Sequence, residues 1–417
     1  MTRRVTALTL ATVVVASLAA SATPSTTAAT ASTVTTTTTT TIPPSTTTTL
    51  PPLPPPPGVP SATTLACARA EVATWPLVDQ ADETIAVPVD AAALGSMAPA
   101  AREGFGAFLL FGATAPRSMG RMVARLQSLT PHHATMLVMT DEEGGGVARL
   151  TNLVSPPPWA QVMGRSLSAQ RIEELGRRVG LALARVGVNV DLAPVLDVDG
   201  RAVYPSATDP DGLRSFGGSP ALVATDGVAF AKGLVSAGVT PVVKHFPGLG
   251  GASRNTDDGP AVTLAWSRLR RSGVVPFERA ITAGLPAVMI SNASVPGFTS
   301  LPASLSARVV GELRRSLGFR GLIVDDSLSA GAIGARHLSP AAAAVLAESA
   351  GVDLILFGVV GSPAVTLAHA REIAASLVRA VAAGKLARAS LGAAAAQVLA
   401  TRSDLSCPSV GGPPPSS

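Results

Sequence analysis

The sequence contains few aromatic, charged and sulfur-containing residues. Of its 417 residues, 3% are aromatic and 14% charged, and it has one tyrosine and two cysteines. Nearly half of the residues (47%) are apolar, so the chain can form a large core and is not disordered throughout. The net charge is +5, yet the sequence has no basic run interleaved with aromatic residues, a pattern that is typical of nucleic-acid-binding proteins. We therefore expect no nucleic-acid partner.

Several catalytic and metal-binding motifs are also absent. The five histidines form no His-Glu-x-x-His pattern, and the two cysteines do not have zinc-site spacing. No Gly-x-Ser-x-Gly motif occurs, and the glycine-rich segment 248–251 lacks the forms of phosphate-binding loops. The sequence therefore predicts no metal and no cofactor, and it does not support a serine hydrolase.

Residues 1–22 have the pattern of a signal peptide. Arg3 and Arg4 precede the uncharged apolar stretch Val5–Ala20, and Ala20–Ala22 has the small-x-small form that signal peptidase accepts. The stretch is short for a membrane span, although anchoring by the uncleaved segment is an alternative. The sequence thus predicts a secreted or cell-envelope-associated protein.

Residues 23–64 are predicted to be a disordered linker, and residues 408–417 a disordered tail. The linker consists largely of Thr, Pro and Ser, a composition that buries no core and favours an extended chain. Its hydroxyl groups are suited to O-linked sugars, which indicates a stalk with proximity to the cell wall. An unmodified disordered leader is the alternative.

The two cysteines, Cys67 and Cys407, bracket the predicted globular domain, residues 65–407. In an exported chain two cysteines usually pair, so we expect a disulfide that joins the two ends of the domain. Mass spectrometry that finds both as free thiols in protein from its natural compartment would refute this expectation.

Eight short apolar runs alternate with longer segments whose apolar residues are spaced by three and four. The runs are Thr84–Val89, Ala107–Phe111, Ala134–Thr140, Val188–Val195, Thr240–His245, Ala287–Ser291, Gly321–Asp325 and Asp353–Phe357. Repeated strand and helix patterns predict parallel strands with right-handed crossovers. Eight such units fit the α/β class and a single-domain (β/α)8 TIM-type barrel, with an open doubly wound sheet as the alternative.

Polar residues follow several of these runs, at the barrel end where active sites lie. They include Asp141, Arg149, Arg214, Lys244, His245 and Asp326. Taken singly, the aspartates could cap helices, the arginines could lie at the surface, and Lys244-His245 could be a buried structural pair. Together, acidic and basic groups suit the hydroxyls of a sugar. Asp326 follows a very apolar strand and is the candidate nucleophile of a glycosidase.

Five segments carry a resemblance to a known family. They are TDEEGG at 140–145, NVDLAPVLD at 189–197, RSFG at 214–217, KHFPG at 244–248 and FRGLIVDDSLS at 319–329. In this order they resemble glycoside hydrolase family 3, particularly its single-domain bacterial β-N-acetylglucosaminidases. The resemblance implies the barrel and makes Asp326 the nucleophile. It also assigns five residues to the sugar hydroxyls: Asp141, Arg149, Arg214, Lys244 and His245.

One segment departs from the family pattern. Where those glucosaminidases carry Asp-Ser-His with the His as acid/base, this chain has Asn255-Thr256-Asp257, and Leu249 replaces a usual His. We therefore expect Asp257 or Asp258 to serve as acid/base, with a pKa raised by burial or by the neighbouring carboxylate.

The predicted function is an exported retaining glycosidase that removes terminal β-linked N-acetylhexosamine from a carbohydrate substrate such as a cell-wall glycan. One alternative is a sugar-binding envelope protein that has lost or altered its acid/base catalysis. Another is a phosphorylase that uses phosphate near Lys244 and Arg254.

Overall fold

The computed structural model describes residues 57–402. The predicted signal peptide, most of the predicted linker, Cys407 and the predicted tail lie outside the described residues. Cys67 lies in the first helix, which begins at Ala62, three residues before the predicted domain boundary.

Ten strands occur in the described part of the chain. They are β1 (Ile85–Asp90), β2 (Ala107–Phe111), β3 (Leu137–Thr140), β4 (Glu142–Gly144), β5 (Val147–Ala148), β6 (Val190–Asp191), β7 (Thr240–Phe246), β8 (Ala287–Ile290), β9 (Leu322–Asp325) and β10 (Ile355–Leu356). Eight form a parallel sheet in the order β10-β1-β2-β3-β6-β7-β8-β9. A parallel bridge between Val324 and Leu354 brings the two ends together. The predicted (β/α)8 barrel is confirmed, and the open sheet is wrong.

Fourteen α-helices connect or flank these strands within residues 57–402. They are α1 (Ala62–Val72), α2 (Leu77–Glu83), α3 (Ala98–Glu103), α4 (Met119–Gln127), α5 (Ala160–Ser166), α6 (Ala169–Arg185), α7 (Pro220–Ser236), α8 (Trp266–Leu269), α9 (Val275–Thr282), α10 (Ala307–Gly311), α11 (Gly331–Gly334), α12 (Pro340–Ala350), α13 (Pro363–Ala382) and α14 (Arg388–Thr401). Three long helices, α7, α12 and α13, begin with a Ser-Pro pair. The serine hydroxyl accepts a backbone N–H while proline occupies the first turn, so each start is fixed locally. No helix in this part of the chain has the length and apolarity to cross a membrane.

The strands separate two apolar layers. Inside the barrel, alternate strand residues such as Leu109, Met139, Val242 and Val324 form one buried cluster. The intervening residues pack outward against the helices in a second, larger cluster. Because both faces are buried, the strand sequences are continuously apolar rather than alternating.

The last helix, α14, closes the N-terminal end of the barrel. Its Val398 belongs to the interior cluster, and Arg402 just beyond it bonds the carbonyl of Gly106 and pairs with Glu83 at 2.8 Å. The first helix, α1, packs on the outer side of α14 through Ala68, Val72 and Trp75. A cleft lies at the opposite end, where the strands finish.

Candidate active site

A cleft of about 630 Å³ opens at the C-terminal ends of the strands. It is lined by seven of the eight residues that the sequence predicted for catalysis or sugar binding: Asp141, Arg149, Arg214, Lys244, His245, Asp257 and Asp326. They come from positions spread over almost 200 residues and meet because parallel barrel strands end on the same side. The eighth, Asp258, is exposed beside Asp257 and does not belong to the lining.

The β4–β5 hairpin positions the acidic residues that follow β3. Gly144 and Gly145 have φ values of 107° and 57°, which glycine adopts without strain. A Cβ atom at Gly145 would lie 2.0 Å from the indole ring of Trp159, so the turn is also closely packed. The turn holds Glu143 in the cleft and leads on to Arg149, whose guanidinium lies 5.4 Å from the ring centre of Phe111.

Four charged side chains form a buried network on one wall of the cleft. The Lys244 ammonium lies 2.8 Å from Asp141 and 2.7 Å from Glu143. Arg214 donates two hydrogen bonds to the same Glu143 carboxylate, each 2.8 Å long. Lys244 is only 3% exposed, so its ammonium is held by ion pairs rather than by water.

The ion pairs favour the charged forms of Lys244 and Glu143. Burial lowers the pKa of Lys244, but the carboxylates of Asp141 and Glu143 raise it by more. Burial likewise raises the pKa of Glu143, whereas Arg214 and Lys244 bring it well below the usual range. A wall of fixed charges with known donors and acceptors is suited to the hydroxyl groups of a sugar.

His245 is held from behind by a buried carboxylate. Its Nδ1 lies 2.6 Å from Asp197 Oδ2, and the other Asp197 oxygen accepts the backbone N–H of Leu249 at 2.6 Å. Burial lowers the pKa of His245 to about 4, and the charge of Arg214 acts in the same direction. The ring is therefore neutral at neutral pH, and Nδ1 donates its proton to Asp197.

A second buried carboxyl group, that of Asp211, lies beside the His245–Asp197 pair. The ligand atoms of Asp197, Asp211 and His245 all lie within 4.8 Å of one another, an arrangement that could hold a metal ion. Both carboxyl oxygens of Asp211 are buried, and its side chain interacts with that of Asp197. Burial raises the pKa of Asp211 well above the ordinary value, so a neutral carboxyl group is the form that fits. The sequence predicted no metal site because its histidines and cysteines form no metal-binding motif.

Asp326 and Asp257 occupy the same cleft. Asp326 directly follows β9, where its backbone N–H bonds the carbonyl of Ile290 at 2.9 Å. Its pKa is raised by burial, and the charge of Asp257 adds to the effect. Asp257 is open to the cleft, yet the surrounding protein raises its pKa by desolvation, and Asp258 contributes further.

The loops that carry these two carboxyl groups are bonded to each other. The carbonyl of Asp257 accepts the N–H of Gly331 at 3.0 Å, and that of Thr256 accepts the N–H of Ala332 at 2.9 Å. Residues 331 and 332 begin α11, which closely follows Asp326. The backbone segments that carry the two acids are thus tied together.

Sequence reasoning missed the parts played by Glu143, Asp197 and Asp211. Glu143 and Asp197 lie inside two of the family-like segments, and their position near a strand end is the signal that marks them. Asp211 lies in an irregular connection, where no periodic pattern marks a buried residue.

An eight-stranded parallel barrel with a carboxylate-lined cleft at its C-terminal end is typical of (β/α)8-barrel enzymes. A family model, the glycosyl hydrolase family 3 N terminal domain, matches residues 100–401. The chain therefore belongs to glycoside hydrolase family 3, as its sequence segments predicted.

Individual relatives agree with this assignment. Beta-hexosaminidase LpqI of Mycobacterium tuberculosis is 36% identical over 234 residues, which are 53% of this chain and 58% of that protein. An uncharacterized secreted glycosyl hydrolase of Arthroderma benhamiae is 36% identical over 230 residues, 53% of this chain and 63% of that protein. The chain thus matches less than two thirds of the length of these curated relatives.

A solved structure covers more of the chain. Beta-N-acetylhexosaminidase from Beutenbergia cavernae is similar with a TM-score of 0.69 and 30% sequence identity. The similarity covers 79% of this chain and 98% of that one. The matched region therefore corresponds to nearly the whole of that structure.

Proposed function

We propose that the protein is a retaining glycosidase that removes a terminal β-linked N-acetylhexosamine, with Asp326 as nucleophile and Asp257 as acid/base. The observation that carries this proposal is the pairing of these two carboxyl groups in one cleft. Asp326 lies at a strand end, and Asp257 lies on a loop that is bonded to the segment after Asp326. Retaining hydrolysis needs two such carboxyl groups on either side of the scissile bond.

In the first step the Asp326 carboxylate attacks the anomeric carbon while the bond from that carbon to the leaving oxygen breaks. The Asp257 carboxyl group donates its proton to the leaving oxygen. In the second step the Asp257 carboxylate takes a proton from water, and the water oxygen displaces Asp326 from the anomeric carbon. The raised pKa of Asp257 favours the protonated form that the first step requires.

The charged wall is proposed to bind the sugar that is cleaved. Asp141, Lys244 and Arg214 offer acceptors and donors, which are held in place by the Lys244–Asp141 ion pair and by the bonds of Arg214 to Glu143. Arg149 lies 3.7 Å from Asp141 at the outer edge of this wall. His245, oriented by Asp197, adds a neutral imidazole. These are the groups that the family resemblance assigns to the sugar hydroxyls.

The names of the relatives support the choice of sugar and of compartment. LpqI is named a beta-hexosaminidase, and the Beutenbergia structure a beta-N-acetylhexosaminidase. The Arthroderma relative is described as secreted. With the signal-peptide pattern at residues 1–22, we propose that this chain is exported and acts on glycans of the cell envelope.

The test uses the purified protein with 4-nitrophenyl and 2,4-dinitrophenyl β-N-acetylglucosaminides. We expect Asp326→Ala to abolish turnover of both substrates. Asp257→Asn is expected to slow the 4-nitrophenyl substrate far more, because the better leaving group needs less proton donation. Asp258→Asn is the matched control, since this neighbouring carboxyl group lies outside the cleft lining, and it should retain most activity.

Equal rates for the wild type and Asp326→Ala would overturn the nucleophile assignment. A second candidate function, sugar binding without hydrolysis, is favoured by the replacement of the family's acid/base histidine. It predicts saturable binding of N-acetylglucosamine by the wild type with no release of either nitrophenol.

A further inference from the structure

We propose that the ring of Tyr204, supported by Trp159, is a stacking platform for the sugar on the leaving-group side of the cleft. The proposal rests on the proposed glycosidase function and adds a binding position to it. Tyr204 is 71% exposed, and its ring centre lies 6.0 Å from that of Trp159 in an edge-on arrangement.

The pair lies where two cleft-lining segments meet. Pro205, Ser206 and Ala207, which directly follow Tyr204, all line the cleft. Trp159 packs against the β4–β5 turn, since a Cβ atom at Gly145 or Gly146 would lie within 3 Å of its ring. Tyr204 and Trp159 are not part of the cleft lining themselves, so the exposed ring of Tyr204 lies next to the cleft at its rim, with Trp159 against one edge.

The loop that carries Tyr204 is braced. The carbonyl of Val203 accepts the N–H of Leu213 at 2.9 Å, and Arg201 bridges Asp199 and Asp209 with ion pairs of 2.9 Å each. A ring on a braced loop loses little conformational freedom when a ligand covers it, so more of the stacking energy contributes to affinity.

The same loop identifies the side of the cleft. The carbonyl of Ala207 accepts the N–H of Asn255 at 2.8 Å, two residues before the proposed proton donor Asp257. A group that protonates the leaving oxygen must lie beside the leaving group. Tyr204 is therefore on the aglycone side, beyond the sugar that the charged wall holds.

Tyr204 also offers what the deep cleft does not. Phe111 is the aromatic residue of the lining, and the Arg149 guanidinium lies over its ring. Among the other described aromatic pairs, Trp266 stacks on Phe298 with ring centres 4.1 Å apart, under Arg308. The ring of Tyr204 keeps an open face, and the C–H face of a pyranose is the complementary apolar surface.

The experiment compares a ligand that reaches the platform with one that does not. For the wild type, Tyr204→Ala, Tyr204→Phe and Val203→Ala, we would measure kcat/KM for chitobiose and the inhibition constant of N-acetylglucosamine. We expect Tyr204→Ala to lower kcat/KM for chitobiose roughly threefold to tenfold, and Tyr204→Phe to retain it. Val203→Ala, an exposed apolar change on the same loop, should change kcat/KM for chitobiose by no more than about twofold. The inhibition constant of N-acetylglucosamine should also stay within about twofold in all variants.

If Tyr204→Ala weakens chitobiose turnover and N-acetylglucosamine binding to the same extent, the platform proposal is refuted. It is also refuted if Tyr204→Ala leaves kcat/KM for chitobiose unchanged. If the wild type cleaves neither chitobiose nor aryl glycosides, the proposed function fails, and calorimetric titration tests the platform separately. The same threefold to tenfold loss should then appear in the affinity for chitobiose and not in that for N-acetylglucosamine. A wild type that binds neither sugar would refute both proposals.

Discussion

Removing the carboxylate of Glu143 is expected to destabilise the domain strongly. Glu143 accepts two hydrogen bonds from Arg214 and lies 2.7 Å from Lys244, with all three side chains largely buried. In Glu143→Ala, Lys244 would keep its ion pair with Asp141, whereas Arg214 would lose both of its hydrogen bonds to a carboxylate. Breaking a buried ion pair in this way costs about 3–5 kcal/mol, because an uncompensated charge stays in the interior.

This cost converts into a shift of the melting temperature. For the roughly 350 residues that the structure describes, the entropy of unfolding is about 0.7 kcal/mol per kelvin near 60 °C. The expected decrease in Tm is therefore about 4–7 °C. Differential scanning calorimetry at neutral pH measures it directly.

The chain offers a matched control in Glu103. Its carboxylate also accepts two hydrogen bonds from one arginine, Arg371, at 2.8 and 2.6 Å, but this pair lies at the surface. An exposed pair contributes about 0–1 kcal/mol, so Glu103→Ala should lower Tm by less than about 2 °C. Similar shifts for the two variants would refute the argument that burial gives the Glu143 network its weight.

Three further predictions concern pH and packing. Burial raises the pKa of Glu142 to about 7, so the stability it contributes is complete below about pH 4.5 and is lost as pH rises through 7. Glu142→Gln should flatten this decline in urea titrations by roughly 3 kcal/mol, and an unchanged slope would contradict it. Because the pKa values of Asp326 and Asp257 are raised, kcat/KM should be bell-shaped against pH. It should fall at low pH as Asp326 is protonated and at high pH as Asp257 ionises. If the fall at high pH persists in Asp257→Asn, Asp257 is not the acid. Gly145→Ala should lower the free energy of unfolding by about 2–5 kcal/mol in thermal melts, because the new methyl group would collide with Trp159. The control Gly284→Ala, at φ 74° in open space, should lower it by about 1–2 kcal/mol. Equal decreases would contradict the role of the Trp159 contact.

The barrel could be predicted from sequence because each of its strands is buried on both faces. A continuous apolar run such as Ala107–Phe111 coincides with its strand, β2. The run Val188–Val195 is longer than β6, because the regular ladder ends at Asp191 while the chain beyond it stays buried. Burial sets the apolar pattern, and hydrogen bonding sets the strand ends, so the two do not coincide everywhere.

The cleft could be predicted as far as it depends on strand ends. Asp141 and Asp326 each follow a strand and Lys244 lies near the end of β7, and barrel closure brings the three together. Asp211 and Tyr204 lie in the long connection between β6 and α7, whose path depends on contacts with other loops. No pattern within that connection shows which of its residues become buried and which remain exposed.

The helices at the closed end of the barrel have a consequence for how the domain can be attached to a support. Because α1 packs on α14, the first and last described segments lie side by side, on the face opposite the cleft. A tether joined at either terminus therefore pulls on the same small area and leaves the mouth of the barrel pointing away. Under the proposed function, a glycan would reach the open end without passing either end of the domain.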